Sequence, residues 1–333
     1  MEHSRPNQWF SAMAAAFHRD DARDGSDRAR HRTSRETHMP SSQAAGDIAN
    51  AKRYRFYLIN AFHLPVDSPW RHRPLEGAKE VRLMNHDMVS PHLHDVDWEL
   101  GHGPTARYGD WPVENRQEFA DVAAGRIPLV KEAIESGKFD AVVLLGGGEP
   151  GAMECREVGR RHGVPVTSCA FAQFHYATML GNKFSVIDMA EVHNMYYYNL
   201  VIQHRMDQRC ASIRNLDFPL PRPGAPNDRP VAQEKAQALA GEQSDMVDAA
   251  IEAAIDAIEN DGAEVITFGC SASFWLQPFV KKALHEAGWD VPVLEGYSCA
   301  IELAKSMVNL GIDASSLMFP EDHPKRVRKK MVF

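Results

Sequence analysis

Cys270 and Gly146 occupy matching places in a near-repeat of the chain. The first copy runs Asp140-Ala-Val-Val-Leu-Leu-Gly146, then a stretch of helical periodicity, then Val164-Pro165-Val166. The second runs Glu264-Val-Ile-Thr-Phe-Gly-Cys270, a similar stretch, then Val291-Pro292-Val293. Each copy reads as a buried strand, a turn, a helix and the start of another strand. Two such units facing each other bring both turns to one cleft, with a thiol on one side and none on the other. A positioned thiol can take or give a proton on one face of a substrate. A cysteine that follows a strand and opens a helix feels the positive end of the helix dipole, which lowers its pKa and favours thiolate. Ser271 and Ser273, with nearby N–H groups, are placed to hold a substrate oxyanion. The competing reading of Cys270 is a small inert residue filling a tight turn.

The turn Gly146-Gly147-Gly148-Glu149-Pro150-Gly151 brings backbone N–H groups close to an anion at a helix N-terminus. It lacks the Lys-Ser/Thr of a nucleotide-binding P-loop, and Pro150 interrupts the dinucleotide pattern. A carboxylate-sized oxyanion is the expected occupant, and no cofactor is implied. His175 on the following helix and Glu149 are candidates for a second acid/base. His86, His92, His94 and His102 cluster with Asp87, Asp95 and Asp97, but the segment is loop-like with no fixed third ligand, so no metal is assigned. Cys155 and Cys210 read as structural, and Cys169 and Cys299 as packing residues at equivalent places after the two Val-Pro-Val segments.

These residues need elements to position them. The patterning predicts strands at Tyr54–Asn60, Glu80–Leu83, Ala141–Leu145, Val164–Ser168, Phe184–Ile187, Val265–Phe268 and Val291–Leu294. It predicts helices over 115–137, 152–162, 171–180, 231–260, 275–287 and 298–310, with a Pro-rich connection at 218–230. Alternating strands and helices imply an α/β fold with two similar parallel-sheet lobes and the site in the cleft between them. The expected organisation is a disordered extension over 1–52, a first lobe from 53–165 plus 295–325, and a second lobe over 166–294. Translation starting at Met39 is an alternative to a native extension.

The chain of 333 residues has 44% hydrophobic and 25% charged residues and a net charge of −8, an ordinary globular balance that argues against a general nucleic-acid binder. No apolar run approaches the length of a membrane span. Five irregularly spaced cysteines without a C-x-x-C, and a polar N-terminus without an apolar signal, suit a reducing, cytoplasmic setting.

Taken in order, these segments resemble the Asp/Glu/hydantoin racemase superfamily, its hydantoin racemase branch above all. The resemblance runs from about Tyr54 to Leu310. It is carried by Leu-Ile-Asn60, Gly103-Pro104-Thr105, Asp140-Ala-Val-Val…Glu149-Pro150-Gly151, Gly181-Asn-Lys-Phe-Ser-Val-Ile, Arg209-Cys-Ala-Ser-Ile-Arg, Gly262-Ala-Glu-Val-Ile…Gly269-Cys270 and Val291-Pro-Val…Glu295-Gly296. It implies a cofactor-independent racemase or isomerase, commonly a homo-oligomer, moving a proton alpha to a carboxylate or imide of a small amino-acid- or hydantoin-like substrate. Cys270 would be the acid/base, and Asn60, Thr105, Gly146, Gly147, Gly148, Ser271 and Ser273 would bind substrate. Two-base members use two cysteines; here Gly146 stands at the first position, and Asn60-Ala-Phe replaces Asn-Pro-Asn. That pattern resembles the superfamily's arylmalonate decarboxylases, so a one-base decarboxylase or lyase of a malonate-like acid is the alternative. A non-catalytic binder of small carboxylates is a third reading. Phe274, Trp275 and Tyr297 would suit an apolar substrate group.

Overall fold

The computed structural model describes residues 53–71, 73–224 and 230–330. The expectation of disorder over 1–52 lies outside them, as do residues 225–229 of the Pro-rich connection. In the first sheet, β1 (Tyr54–Ile59), β2 (Val96–Gly101), β3 (Ala141–Leu144) and β4 (Val166–Ser168) lie in the order β2-β1-β3-β4, all parallel. In the second, β5 (Phe184–Asp188), β6 (Cys210–Asn215) and β7 (Val265–Phe268) lie in the order β6-β5-β7, also parallel. The described residues therefore form an α/β fold with two parallel sheets, as the sequence predicts.

Parallel neighbours need crossover connections, and helices supply them. Short α1 (Lys79–Arg82) and α2 (His86–Val89) lead to β2, α3 (Arg116–Glu135) to β3, and α4 (Ala152–His162) to β4. Helix α5 (Cys169–Leu180) crosses to the second sheet, α6 (Asn194–Gln203) leads to β6, and α7 (Val231–Leu239) and α8 (Asp245–Glu259) lead to β7. Helices α9 (Gln277–Glu286) and α10 (Gly296–Leu310) complete the chain's described elements. Strand β3 is a continuous apolar run and every residue of β7 is buried, Thr267 with its hydroxyl donating to Ser185 O at 3.0 Å, as befits parallel strands covered on both faces.

Several elements differ from expectation. Glu80–Leu83 is not a strand: Lys79–Arg82 is one helical turn. The missed strand is Val96–Gly101, where Val96, Trp98 and Leu100 point inward and Asp97 and Glu99 outward. Expected helix 231–260 is two helices. The chain breaks at Gly241, whose φ of +76° lies in the left-handed region, and Ser244 then caps α8 by accepting from the Val247 N–H at 3.3 Å. Expected helix 275–287 begins with a 3₁₀ turn at Phe274–Leu276. Val291–Leu294 makes only an isolated bridge, Val293 to Ile266. The lobe boundary at 165/166 also shifts, because β4 pairs with β3 and so belongs to the first sheet.

Two buried polar side chains fix the strand ends that matter for function. Arg126 on α3 is fully buried and donates from Nη2 to Ile59 O at 2.5 Å and Leu145 O at 2.7 Å, joining the ends of β1 and β3. Gln173 on α5 pairs with both backbone groups of Phe268, its Nε2 donating to the carbonyl at 3.0 Å and its Oε1 accepting from the N–H at 3.0 Å. Cys169, at the start of the same helix, donates its thiol to Leu144 O at 3.5 Å. Helix α5 thus holds the ends of β3 and β7 together.

Helix α3 starts with a reciprocal capping box between Asn115 and Glu118. Glu118 also accepts from Trp111 Nε1 at 2.9 Å and from Arg222 Nη2 at 2.6 Å, which ties down the segment carrying Pro219–Pro221. Burial raises the Glu118 pKa, but Arg222, Trp111 and two backbone N–H groups outweigh it and hold the carboxyl at about 2, below its ordinary 4.5. A depressed folded pKa means that this stabilisation is complete above the unfolded value and is lost as pH falls from 4.5 toward 2. Denaturant midpoints measured from pH 6 down to pH 2 should fall for the wild type across that window, and Glu118→Gln should flatten the fall; identical acid limbs would refute the assignment.

Candidate active site

A pocket of about 380 Å³ opens where the carboxyl ends of β1, β3 and β7 meet, the usual ligand position for open parallel sheets. Asn60 follows β1, Gly146, Gly147 and Gly148 follow β3, and Cys270 and Ser271 follow β7; all six line it. The two expected turns touch. A Cβ on Gly147 would stand 1.6 Å from Gly269 O, so only glycine permits that approach.

Gly146 has φ +109°, and a Cβ there would lie 2.8 Å from the Ala61 Cβ. The pocket therefore lacks a side chain here for two reasons, strain and space. Gly146→Cys should lose about 1–3 kcal/mol from the unfavourable φ alone, with the contact to Ala61 adding to it. Urea titration of Gly146→Cys and of Gly146→Cys/Ala61→Gly checks this: the second change should recover part of the loss. Wild-type stability in the single variant would refute it.

Cys270 is half-buried in the pocket wall. Its backbone N–H donates to Asp188 Oδ1 at 2.7 Å. The expected thiolate is overturned: burial, reinforced by the Asp188 charge, pushes the thiol up to about 12. The reason is local geometry. No α-helix opens at Cys270; the Ser273 N–H closes a turn on Cys270 O at 2.9 Å, and a three-residue 3₁₀ segment separates that turn from α9, which starts at Gln277. A thiol so placed holds its proton at neutral pH.

Not every expected site residue reaches the pocket. Ser273 is buried, with its hydroxyl donating to Cys270 O at 2.6 Å, so it braces the turn. Thr105 is exposed; its hydroxyl meets His63 Nε2 at 2.8 Å, and His63 is the residue that lines the pocket. Because His63 Nδ1 lies 3.0 Å from Gly103 O, that nitrogen carries the hydrogen and Nε2 accepts from Thr105. Glu149 is buried outside the pocket lining and accepts from His204 Nε2 at 2.5 Å and the Phe171 N–H at 3.0 Å. His175 also lies outside the lining, with Nδ1 donating to Phe171 O at 2.7 Å. Neither of the two expected second acid/bases faces the substrate space. Trp275 and Tyr297 line the pocket, whereas Phe274 is core. His92 pairs with Glu302 at 2.8 Å and His94 with Pro91 O at 2.7 Å, and of the histidine cluster His102 reaches the pocket.

Sequence reasoning missed Asp188 and His193. Asp188 ends β5 and His193 lies five residues on, in a 3₁₀ turn. The one available signal was a carboxylate at the carboxyl end of a buried strand, Phe184-Ser-Val-Ile-Asp188. It also missed Arg73, whose Nη1 donates to Asn60 Oδ1 at 3.2 Å, and Lys235, whose Nζ donates to Asn85 Oδ1 at 2.8 Å. Asn85 in turn donates to Ser271 O at 3.3 Å, beside Cys270. Loop cations carry no periodicity that would reveal them.

The fold is shared with known proteins. An allantoin racemase from Klebsiella pneumoniae superposes with a TM-score of 0.57 at 24% identity, over 81% of this chain and 95% of that one. A glycine-to-cysteine, cysteine-to-serine double mutant of arylmalonate decarboxylase in the liganded form superposes with a TM-score of 0.51 at 13% identity, over 77% of this chain and 92% of that one. In sequence, a hydantoin racemase of Paenarthrobacter aurescens is 28% identical over 189 residues, 57% of this chain and 70% of the relative. The family model described as Asp/Glu/Hydantoin racemase matches residues 112–304, a span that takes in both glycine-rich and cysteine-bearing turns. The chain belongs to the Asp/Glu/hydantoin racemase family.

Proposed function

We propose that this protein is a cofactor-independent isomerase that transfers a proton at the carbon alpha to a carboxylate or imide of a small, amino-acid- or hydantoin-like substrate, with Cys270 as acid/base. One observation above all supports the reading. Cys270 lines a pocket whose facing turn, Gly146–Gly148, offers backbone and no side chain. Backbone N–H groups of a glycine turn stabilise the oxyanion that develops as the alpha proton leaves. The pocket wall also carries Arg71, Arg73, Arg82 and Lys235 and, among its lining residues, no Asp or Glu. Arg73 and Lys235 spend their hydrogen bonds on neutral amide oxygens. Such a wall suits an anionic substrate. Relatives named hydantoin racemase and allantoin racemase fit the same class.

A second reading has its own observation. With Gly146 lacking a side chain and room for one, no thiol opposes Cys270, which favours a one-base decarboxylase or lyase of a malonate-like acid. The position of Cys270 in the pocket weighs against a purely binding role.

NMR in D₂O separates these readings. Enantiopure 5-substituted hydantoins, amino acids, and aryl- and alkyl-malonates are incubated with enzyme. Alpha deuteration with loss of optical activity supports the isomerase. Release of CO₂ with deuteration on one face supports the lyase. No exchange across the panel counts against both.

A further inference from the structure

We propose that His193, oriented by Asp188, is the second acid/base of this pocket. The proposal rests on the carbon-acid reading. His193 is buried and lines the pocket. Its Nδ1 donates to Asp188 Oδ2 at 2.8 Å, while its Nε2 is buried without a hydrogen-bond partner. A buried ring nitrogen without a partner is a costly exception in a folded protein, so one on a residue that lines a ligand cavity calls for a function. The same carboxylate holds the Cys270 backbone through its other oxygen at 2.7 Å. Asp188 therefore sets the position of both proton-carrying groups at once.

The chemistry of the pair is complementary. With Nδ1–H committed to Asp188, the neutral ring leaves a lone pair at Nε2, and the protonated ring is stabilised by the carboxylate at Nδ1. This is the base-and-orienter arrangement that general-base histidines use. Burial opposes the charged ring, but the Asp188 hydrogen bond and charge outweigh it, Glu114 adds to them, and the His193 pKa is raised. The Tyr197 ring also packs edge-on at 6.3 Å. A two-base isomerase needs one partner free of its proton and one holding it. An imidazole and a thiol can divide those two roles.

The proton balance follows. Nε2 takes the alpha proton, the C–H electron pair passes into the adjacent carbonyl to form the enolate, and the Cys270 S–H then delivers its proton to that carbon. The imidazolium and thiolate left behind are reset by returning one proton through solvent, or by turnover in the opposite direction. No oxidant, reductant or further reagent is required. Gly146 then marks replacement of one thiol by an imidazole from another segment.

The test uses the full chain with histidine labelled in its ring nitrogens, comparing wild type, His193→Gln and Asp188→Asn. The resonance absent from His193→Gln should belong to a ring with hydrogen on Nδ1, titrating above an ordinary histidine, and Asp188→Asn should bring it down. A ring with hydrogen on Nε2, or one indifferent to Asp188→Asn, overturns the proposal whether or not a substrate is known, so its fate is separate from that of the carbon-acid reading. With a hydantoin or amino acid that the wild type racemises, His193→Gln should lose the ascending limb of the kcat/KM pH profile and about 10²–10⁴-fold in rate. An unchanged pH limb, or a rate within twofold of wild type, equally overturns it.

Discussion

Cys270→Ala should lower alpha-proton exchange by about 10²–10⁴-fold, the range contributed by a positioned acid or base. The fold should survive, because the link to Asp188 uses the Cys270 backbone N–H and persists in alanine. The side chain is small and only partly buried at the pocket lining. The pH dependence sharpens the expectation. With the thiol held at about 12, a step in which it donates its proton shows no thiol limb between pH 6 and 9. A step that required the thiolate would instead accelerate throughout that range. Exchange rates across pH in D₂O, run beside circular dichroism on the variant, check both points. Full activity in folded Cys270→Ala would remove Cys270 from the mechanism.

Legibility in the sequence followed the physics of each feature. Buried parallel strands announce themselves because both faces are apolar, which is why Ala141–Leu144 and Val265–Phe268 were found almost to the residue. Since ligands bind beyond the carboxyl ends of such strands, Gly146 and Cys270 followed directly. Asp188 and His193, absent from that reasoning, lie in the second sheet's other connection, and only Asp188 touches a strand. His193 had no spacing signal, because its role depends on β5 and β7 lying side by side. The thiol's ionisation failed for a related reason. A helix was expected to open at Cys270, but whether a turn continues as an α-helix depends on packing of Phe274 and Trp275, not on the Gly-Cys-Ser sequence. Glu149 was misplaced because a carboxylate beside a glycine turn can face either way, and here His204 draws it into the protein.

Arg126→Met should show that the pocket is held from behind as well as lined from within. Hydrogen bonds from a charged donor contribute about 1.5–3 kcal/mol each, and Arg126 makes two short ones, to Ile59 O and Leu145 O. Removing them leaves the Leu145 carbonyl buried, while Ile59 O keeps the Leu145 N–H at 2.9 Å. Two terms soften the loss: burial already disfavours the guanidinium, and its Nε has no partner. The net expectation is about 3 kcal/mol of destabilisation, read from the denaturant midpoint. Those carbonyls belong to the residues immediately before Asn60 and Gly146, so slackening them moves two of the turns that line the pocket. Arg126→Met should therefore also raise KM for whatever the wild type turns over, and Arg126→Lys, which can reach one carbonyl, should recover part of both effects. A midpoint equal to wild type would mean that α3 does not hold the strand ends. A large stability loss with unchanged KM would mean that it holds them without setting the geometry of the site.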